Sequence, residues 1–146
     1  MKVVVNAQYG GFSLSMLAEQ EYLKRKGEAA YFYKLKNRTC VSGPYVRTSP
    51  DDKPPFVWYT YTRDLGDDVE HLPDDSYFNS RPLPRNDTDL VAVVEELGNS
   101  ASGRHATLAI VDIPDGIEWH IEEYDGTEHI AEKHRCWYPN KENSNE

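Results

Sequence analysis

The chain has 146 residues, enough for one domain that buries roughly two-thirds of its unfolded surface without a disulfide or metal staple. Only 38% of the residues are hydrophobic while 12% are aromatic, so aromatic side chains must supply much of the core. The formal net charge of −9 argues against direct nucleic-acid binding, and no apolar run approaches the ~20 residues of a membrane span. The expectation is a soluble protein that is not exported, in which Cys40 and Cys136 are reduced thiols. Charge is unevenly spread: up to Lys53 there are nine Lys/Arg against five Asp/Glu, and beyond it seven against twenty. This leaves room for an anion site in the first part and an acidic, partner-facing surface in the second.

Residues 2–7, KVVVNA, read as a short buried strand. A turn through Tyr9, Gly10, Gly11 and Phe12 leads to a helix that Ser13 or Ser15 caps and that runs to about Lys26, with Gly27 just past its end. Strand, double glycine, serine and helix resemble an anion-binding helix N-terminus. The pattern lacks the lysine of a phosphate-binding loop and the third glycine of the dinucleotide fingerprint. Gly10, Gly11 and Ser13 are the candidate backbone and hydroxyl contacts, with Tyr9 or Phe12 for stacking.

Residues 29–36 and 56–62 read as the next two strands, the latter alternating Val57, Tyr59 and Tyr61 with Trp58, Thr60 and Thr62. The stretch 37–55 between them is rich in turn residues, and 63–87 has no period, the mark of a functional or mobile loop. Arg81 and Arg85 in that loop, and Arg104 further on, are candidate charge contacts for an anion. Asn86 or Asp87 caps a second helix whose Leu90, Val91, Val94 and Leu97 share a face and which stops at Gly98. A strand over 105–113 then turns through Pro114-Asp115-Gly116 into a hairpin, completing a three-stranded meander.

The hairpin, 117–137, is the most strongly specified local structure. Asp125-Gly126 suits a type I′ turn, and counting outward sets Glu123 opposite Glu128, Glu122 opposite His129 and Ile121 opposite Ile130. One face then carries Ile117, Trp119, Ile121 and Ile130 together with Glu123, Glu128, Glu132 and His134. Like charges directly opposite are destabilising unless they are solvated, hold a proton or meet a cation. Either the tip overhangs into water, or the acids form a pocket that accepts a donor-rich partner or works as a general acid/base. His129 and His134 are an odd number of residues apart and point to opposite faces, and no recognised ligand spacing is present, so no metal and no cofactor is expected.

At VVVNAQYGGFSLS, at DLVAVVEELGNSASGRHATLAIVDIPDGIEW and at IEEYDGTEHIAEKHRCW, the chain resembles a small family of proteins encoded in bacteriophage and prophage genomes. The resemblance covers both ends and leaves out 34–81. It implies a phage accessory protein in the host cytoplasm that acts on a host protein or a host-made metabolite, and it carries no reaction onto particular residues. The fold expected is α+β. A single domain over 1–138 would contain a mixed or antiparallel sheet of five or six strands, two main helices and the C-terminal meander, followed by a flexible tail at 139–146. The leading function is non-enzymatic binding of an anionic, nucleotide-like small molecule, with a homo-oligomer compatible with it. The alternatives are an acidic inhibitor of a basic host factor or a nucleic-acid mimic, and an enzyme built on Glu123, Glu128, Glu132 and His134.

Overall fold

The computed structural model describes residues 1–37, 42–133, 137 and 139. Cys40, Cys136 and His134 lie outside the described residues, and so does the expected tail apart from Pro139.

The fold is α+β, with two α-helices and nine strands among the described residues, the strand pairings all antiparallel. The β-branched run of β1 (Lys2–Asn6) is buried from Val3 onward and pairs with β7 (Leu108–Asp112), Val4 lying opposite Ile110. Helix α1 (Met16–Arg25) begins at Ser15, whose Oγ accepts the Ala18 N–H at 3.1 Å, and it closes before Gly27 at φ +81°. Helix α2 (Thr88–Leu97) is capped by Asp87, which accepts from Asp89 and Leu90 N–H, and it stops at Gly98 with φ +57°. The two helices bury Ala18, Tyr22, Leu23, Leu90, Val91 and Val94 against each other and against Val4 and Leu108, forming the main core.

The remaining strands depart from one continuous sheet. A separate five-stranded sheet has the order β5-β3-β2-β4-β6, built from β2 (Tyr31–Leu35), β3 (Tyr45–Thr48), β4 (Tyr59–Tyr61), β5 (Asp68–Val69) and β6 (Tyr77–Phe78). Three of these strands lie in stretches that lack a readable period. Tyr45-Val46-Arg47-Thr48 is bracketed by Pro44 and Pro50, while β5 and β6 have only two residues each and exist by pairing with β3 and β4. The meander does not form as a ladder: β7 pairs with β1, and among the described residues β8 (Trp119–Tyr124) and β9 (Thr127–Glu132) pair only with each other. Pairing with β1 places Leu108 and Ile110 on the same face as Val4, within the main core. No helix among the described residues is long and apolar enough to cross a membrane.

One face of the five-stranded sheet is tyrosine-rich. Tyr33 packs edge-on to Tyr61, and Tyr45 edge-on to Tyr59, at 6.0 and 5.7 Å between centroids. The other face carries Phe32, Thr48 and Thr60, all buried. Thr48 Oγ1 is sealed from solvent with no hydrogen-bond partner among the described residues. Replacing an unpaired buried hydroxyl by a methyl of the same shape removes a desolvation cost. Thr48→Val is therefore expected to raise unfolding stability by about 1 kcal/mol, read from the midpoint of a denaturant titration at unchanged slope.

Candidate ligand-binding cleft

The hairpin register matches the sequence pattern at every pair from Tyr124↔Thr127 to Trp119↔Glu132, and Asp125 and Gly126 take φ of +50° and +93°. Its tip is docked on one side only, with Tyr124 and Asp125 exposed and Gly126 packed inward. Gly126 is buried against the glycine loop, where a Cβ would overlap the Gly10 and Gly11 backbone nitrogens, and the Gly10 N–H donates to Asp125 C=O at 3.3 Å. Asn6, fully buried, donates from Nδ2 to the carbonyls of Gln8 and Gly126, both at 2.7 Å, and its Oδ1 accepts the Thr107 N–H at 2.9 Å.

This docking decides the fate of the acidic cluster. Glu123 and Glu132 are exposed, whereas the Glu128 side chain is only 8% exposed and turns inward. Glu128 accepts two hydrogen bonds from Arg85, at 2.6 and 3.0 Å, and a third from the Asn6 backbone N–H at 2.8 Å. The Arg85 guanidinium also lies 3.6 Å from the Phe12 ring centroid. Neither expectation for the cluster holds as a whole, because one acid has an internal cation and the other two face water. On the opposite face Glu122 lies between His120 and His129, at 2.9 and 3.0 Å, and these contacts hold its carboxyl below the usual range. No group of three or more His, Cys, Asp or Glu side chains among the described residues is placed to hold a metal.

A cleft of about 390 Å³ opens beside the glycine loop. It brings together six of the residues singled out as ligand contacts: Gly10, Gly11, Phe12, Ser13, Arg81 and Arg104. Two others lie elsewhere. Arg85 is committed to Glu128, and Tyr9 is 61% exposed and does not line the cleft. The anticipated helix dipole is also displaced, since α1 starts at Met16 and Ser15 already caps it, so Gly10–Ser13 contributes a loop wall. That wall is held against the segment 103–105 by two close approaches. A Cβ on Gly103 would overlap the Ser13 side chain, and one on Gly10 would lie 2.6 Å from His105 C=O.

Charge is distributed unusually around this cleft. Arg25, Arg47, Arg63 and Arg85 each pair with a carboxylate. Arg81 and Arg104, the remaining arginines among the described residues, have no carboxylate partner there, and both line the cleft. Arg104 instead lies 4.3 Å from the ring centroid of Phe56, which is 65% exposed, and Phe56 also packs edge-on to His105.

The residue that sequence reasoning missed is Glu19. It lies in the floor of the same cleft, 7% exposed, and its Oε1 accepts from Trp58 Nε1 at 2.9 Å and from Thr60 Oγ1 at 2.6 Å. Its Oε2 has no protein partner among the described residues and is not sealed from solvent. The signal was present in the sequence: Glu19 follows Met16 by three positions and precedes Leu23 by four, which puts a carboxyl on the apolar stripe of α1.

No family model, no curated protein and no solved structure matches the chain.

Two predictions follow from the charges. Glu128→Gln leaves the largely buried Arg85 side chain without a counter-ion and is expected to cost on the order of 3 kcal/mol, whereas Glu123→Gln leaves the denaturation midpoint unchanged. Chemical denaturation of the two variants beside the wild type checks both. Glu19 gives a pH signature. Burial pushes its carboxyl up from 4.5 to about 7, against the opposing pull of the Thr60 and Trp58 hydrogen bonds. The folded state thus keeps a proton that the unfolded chain releases, so this contribution is full below about 4.5 and is lost as pH rises through about 7. The stability of wild type relative to Glu19→Gln is expected to fall by on the order of 3 kcal/mol between about pH 4 and pH 8.

Proposed function

We propose that this protein binds an anionic, nucleotide-like small molecule in the cleft between the glycine loop and the aromatic edge of the five-stranded sheet. The observation that carries this reading is the pair Arg81 and Arg104. In a chain with 25 acidic residues, these are the two described arginines with no carboxylate, and both border one cavity. Guanidinium groups supply forked donors suited to phosphate or carboxylate oxygens. The volume of about 390 Å³ is in the small-molecule range. Phe56, Trp58 and Tyr77 on the same walls offer faces for a planar ring, and the Arg104 contact with Phe56 already aligns cation and ring.

The proposed role is sequestration without turnover, in the host cytoplasm, by an accessory protein of the phage type that the end motifs resemble. The substrate of the defence or metabolic step being countered would be a host-made phosphorylated metabolite. No catalytic role is proposed for Glu123, Glu128 and Glu132, because Glu128 is occupied by Arg85 while the other two are solvated.

Titration calorimetry against nucleoside mono-, di- and cyclic phosphates, with inorganic phosphate alongside, tests the reading. At least one nucleotide is expected to bind. Arg81→Ala and Arg104→Ala should each weaken it by about 10-fold or more, as loss of a charge-assisted hydrogen bond implies, with unchanged thermal midpoints. A wild type that binds none of the panel, or arginine variants that bind as well as the wild type, would remove the proposal.

A further inference from the structure

Glu19 is an expensive way to join a helix to a sheet. Its Oε1 accepts from both Trp58 and Thr60, and a glutamine amide oxygen would accept the same two hydrogen bonds without a buried ionisable group. No cation among the described residues is paired with it, although Arg81 and Arg104 border the same cavity. The carboxyl has what an amide lacks, a second acceptor oxygen, and this is the oxygen left without a protein partner. Burial separates the two ends of the cleft: Glu19 is in the floor at 7% exposure, while Arg81 and Arg104 are exposed at the rim.

We infer that Glu19 is the specificity-determining residue of the cleft, its Oε2 accepting a hydrogen bond from an N–H or O–H donor on the part of the ligand remote from its anionic group. The inference rests on the binding reading above and narrows it. The ligand must carry an anion for the arginines and, at the other end, a donor such as a ring imide N–H or a sugar hydroxyl. A ligand with only acceptors at that end would be met by the protonated carboxyl alone, so its affinity would fall as Glu19 ionises, the opposite of the trend for a donor-bearing ligand. The carboxyl is poised to exchange its proton near neutrality, about 7, so its acceptor form is available there.

Glu19→Gln gives the direct test. Its amide oxygen can keep the Trp58 and Thr60 hydrogen bonds, which turns the Nε2 donors toward the ligand and inverts the polarity at the floor. Four probes separate the parts: a nucleoside monophosphate with an imide N–H, such as uridine monophosphate; its N3-methyl derivative; ribose 5-phosphate; and inorganic phosphate. Affinity for a donor-bearing probe is expected to fall about 10-fold or more in Glu19→Gln, while inorganic phosphate changes by less than about 2-fold. Sensitivity to N3-methylation identifies a base N–H as the donor; retained affinity with tight ribose 5-phosphate binding identifies a sugar hydroxyl.

A pH series supplies the second readout and guards against a variant that folds poorly. The other charged or titratable groups facing this cavity are Tyr77 from β6, Arg81 from the loop after it, and Arg104 and His105 before β7. Using a cyclic nucleotide, whose phosphodiester keeps one charge, wild-type affinity is expected to rise from about pH 5.5 to about pH 8 as Glu19 ionises. Glu19→Gln should abolish the rise. Unchanged nucleotide affinity in Glu19→Gln together with a flat wild-type profile overturns the inference while leaving the arginine reading intact. Arginine variants without effect would instead overturn the parent proposal.

Discussion

The Asn6 side chain, fully buried at the end of β1, ties together segments that are about a hundred residues apart in sequence. Its amide reaches the glycine loop through Gln8 C=O, the hairpin tip through Gly126 C=O and the approach to β7 through Thr107 N–H, while its backbone N–H goes to Glu128. An amide has two donors and two acceptor positions, and here both donors and one acceptor are used within the protein. A buried amide with its partners removed costs more than each hydrogen bond contributes, so a hub of this kind enforces one arrangement of loop and hairpin. Arg85 and Glu128 lie directly beneath it. The Val4 N–H donates to Arg85 C=O at 2.8 Å, which threads the loop before α2 onto β1 and sets the guanidinium under the hairpin.

Those contacts give the double glycine a different reason from the one its sequence setting suggests. In a strand-glycine-serine-helix context the expected use is an anion at a helix N-terminus. Here Gly10 is needed because His105 crowds the place a Cβ would take, and Gly126 is needed because the Gly10 and Gly11 backbone crowds its own. The cleft wall is a by-product of this packing. Because segments 10–13 and 103–105 are pressed together, Arg104 and His105 line the cleft beside the glycine loop, along with Trp58 and Tyr77.

Local structure was legible in the sequence where a cap, a turn pair or a period specified it. Ser15, Asp87, Gly27, Gly98 and Asp125-Gly126 all occupy the stations their chemistry predicts, and the hairpin register follows by counting. Partnering of strands was not legible. Tyr45–Thr48, Asp68–Val69 and Tyr77–Phe78 are strands because neighbours complete their ladders, and nothing within two or four residues can announce that. The same limit hid the partner of Glu128. Parity put Glu123 and Glu128 on one face, but only the path of the loop after β6 reveals that a guanidinium meets one of them. Glu19 was a different case, a polar residue on an apolar stripe that the composition of the helix made visible and that only its burial made significant.

The charges of the cleft make little sense as stabilising elements. A carboxyl buried without a counter-ion is costly, and arginines without carboxylates in a chain of net charge −9 forgo an abundant partner. An ion pair between Glu19 and either arginine would relieve both conditions, yet Oε2 has no partner among the described residues and the guanidinium groups stay at the rim. Elsewhere, the sealed Thr48 hydroxyl apart, the described residues are consistent across levels, with Arg85, Arg47 and Arg63 paired and the helix ends capped. Natural sequences break that consistency mainly at functional sites, where the unmet hydrogen-bonding capacity is left for a ligand to complete. An anionic molecule with a donor at its far end would satisfy the rim and the floor together, supplying acceptors where the protein offers donors and a donor where it offers an acceptor. The pattern of what is left unpaired therefore argues for the polarity of the ligand along the cleft more directly than the shape of the cavity does.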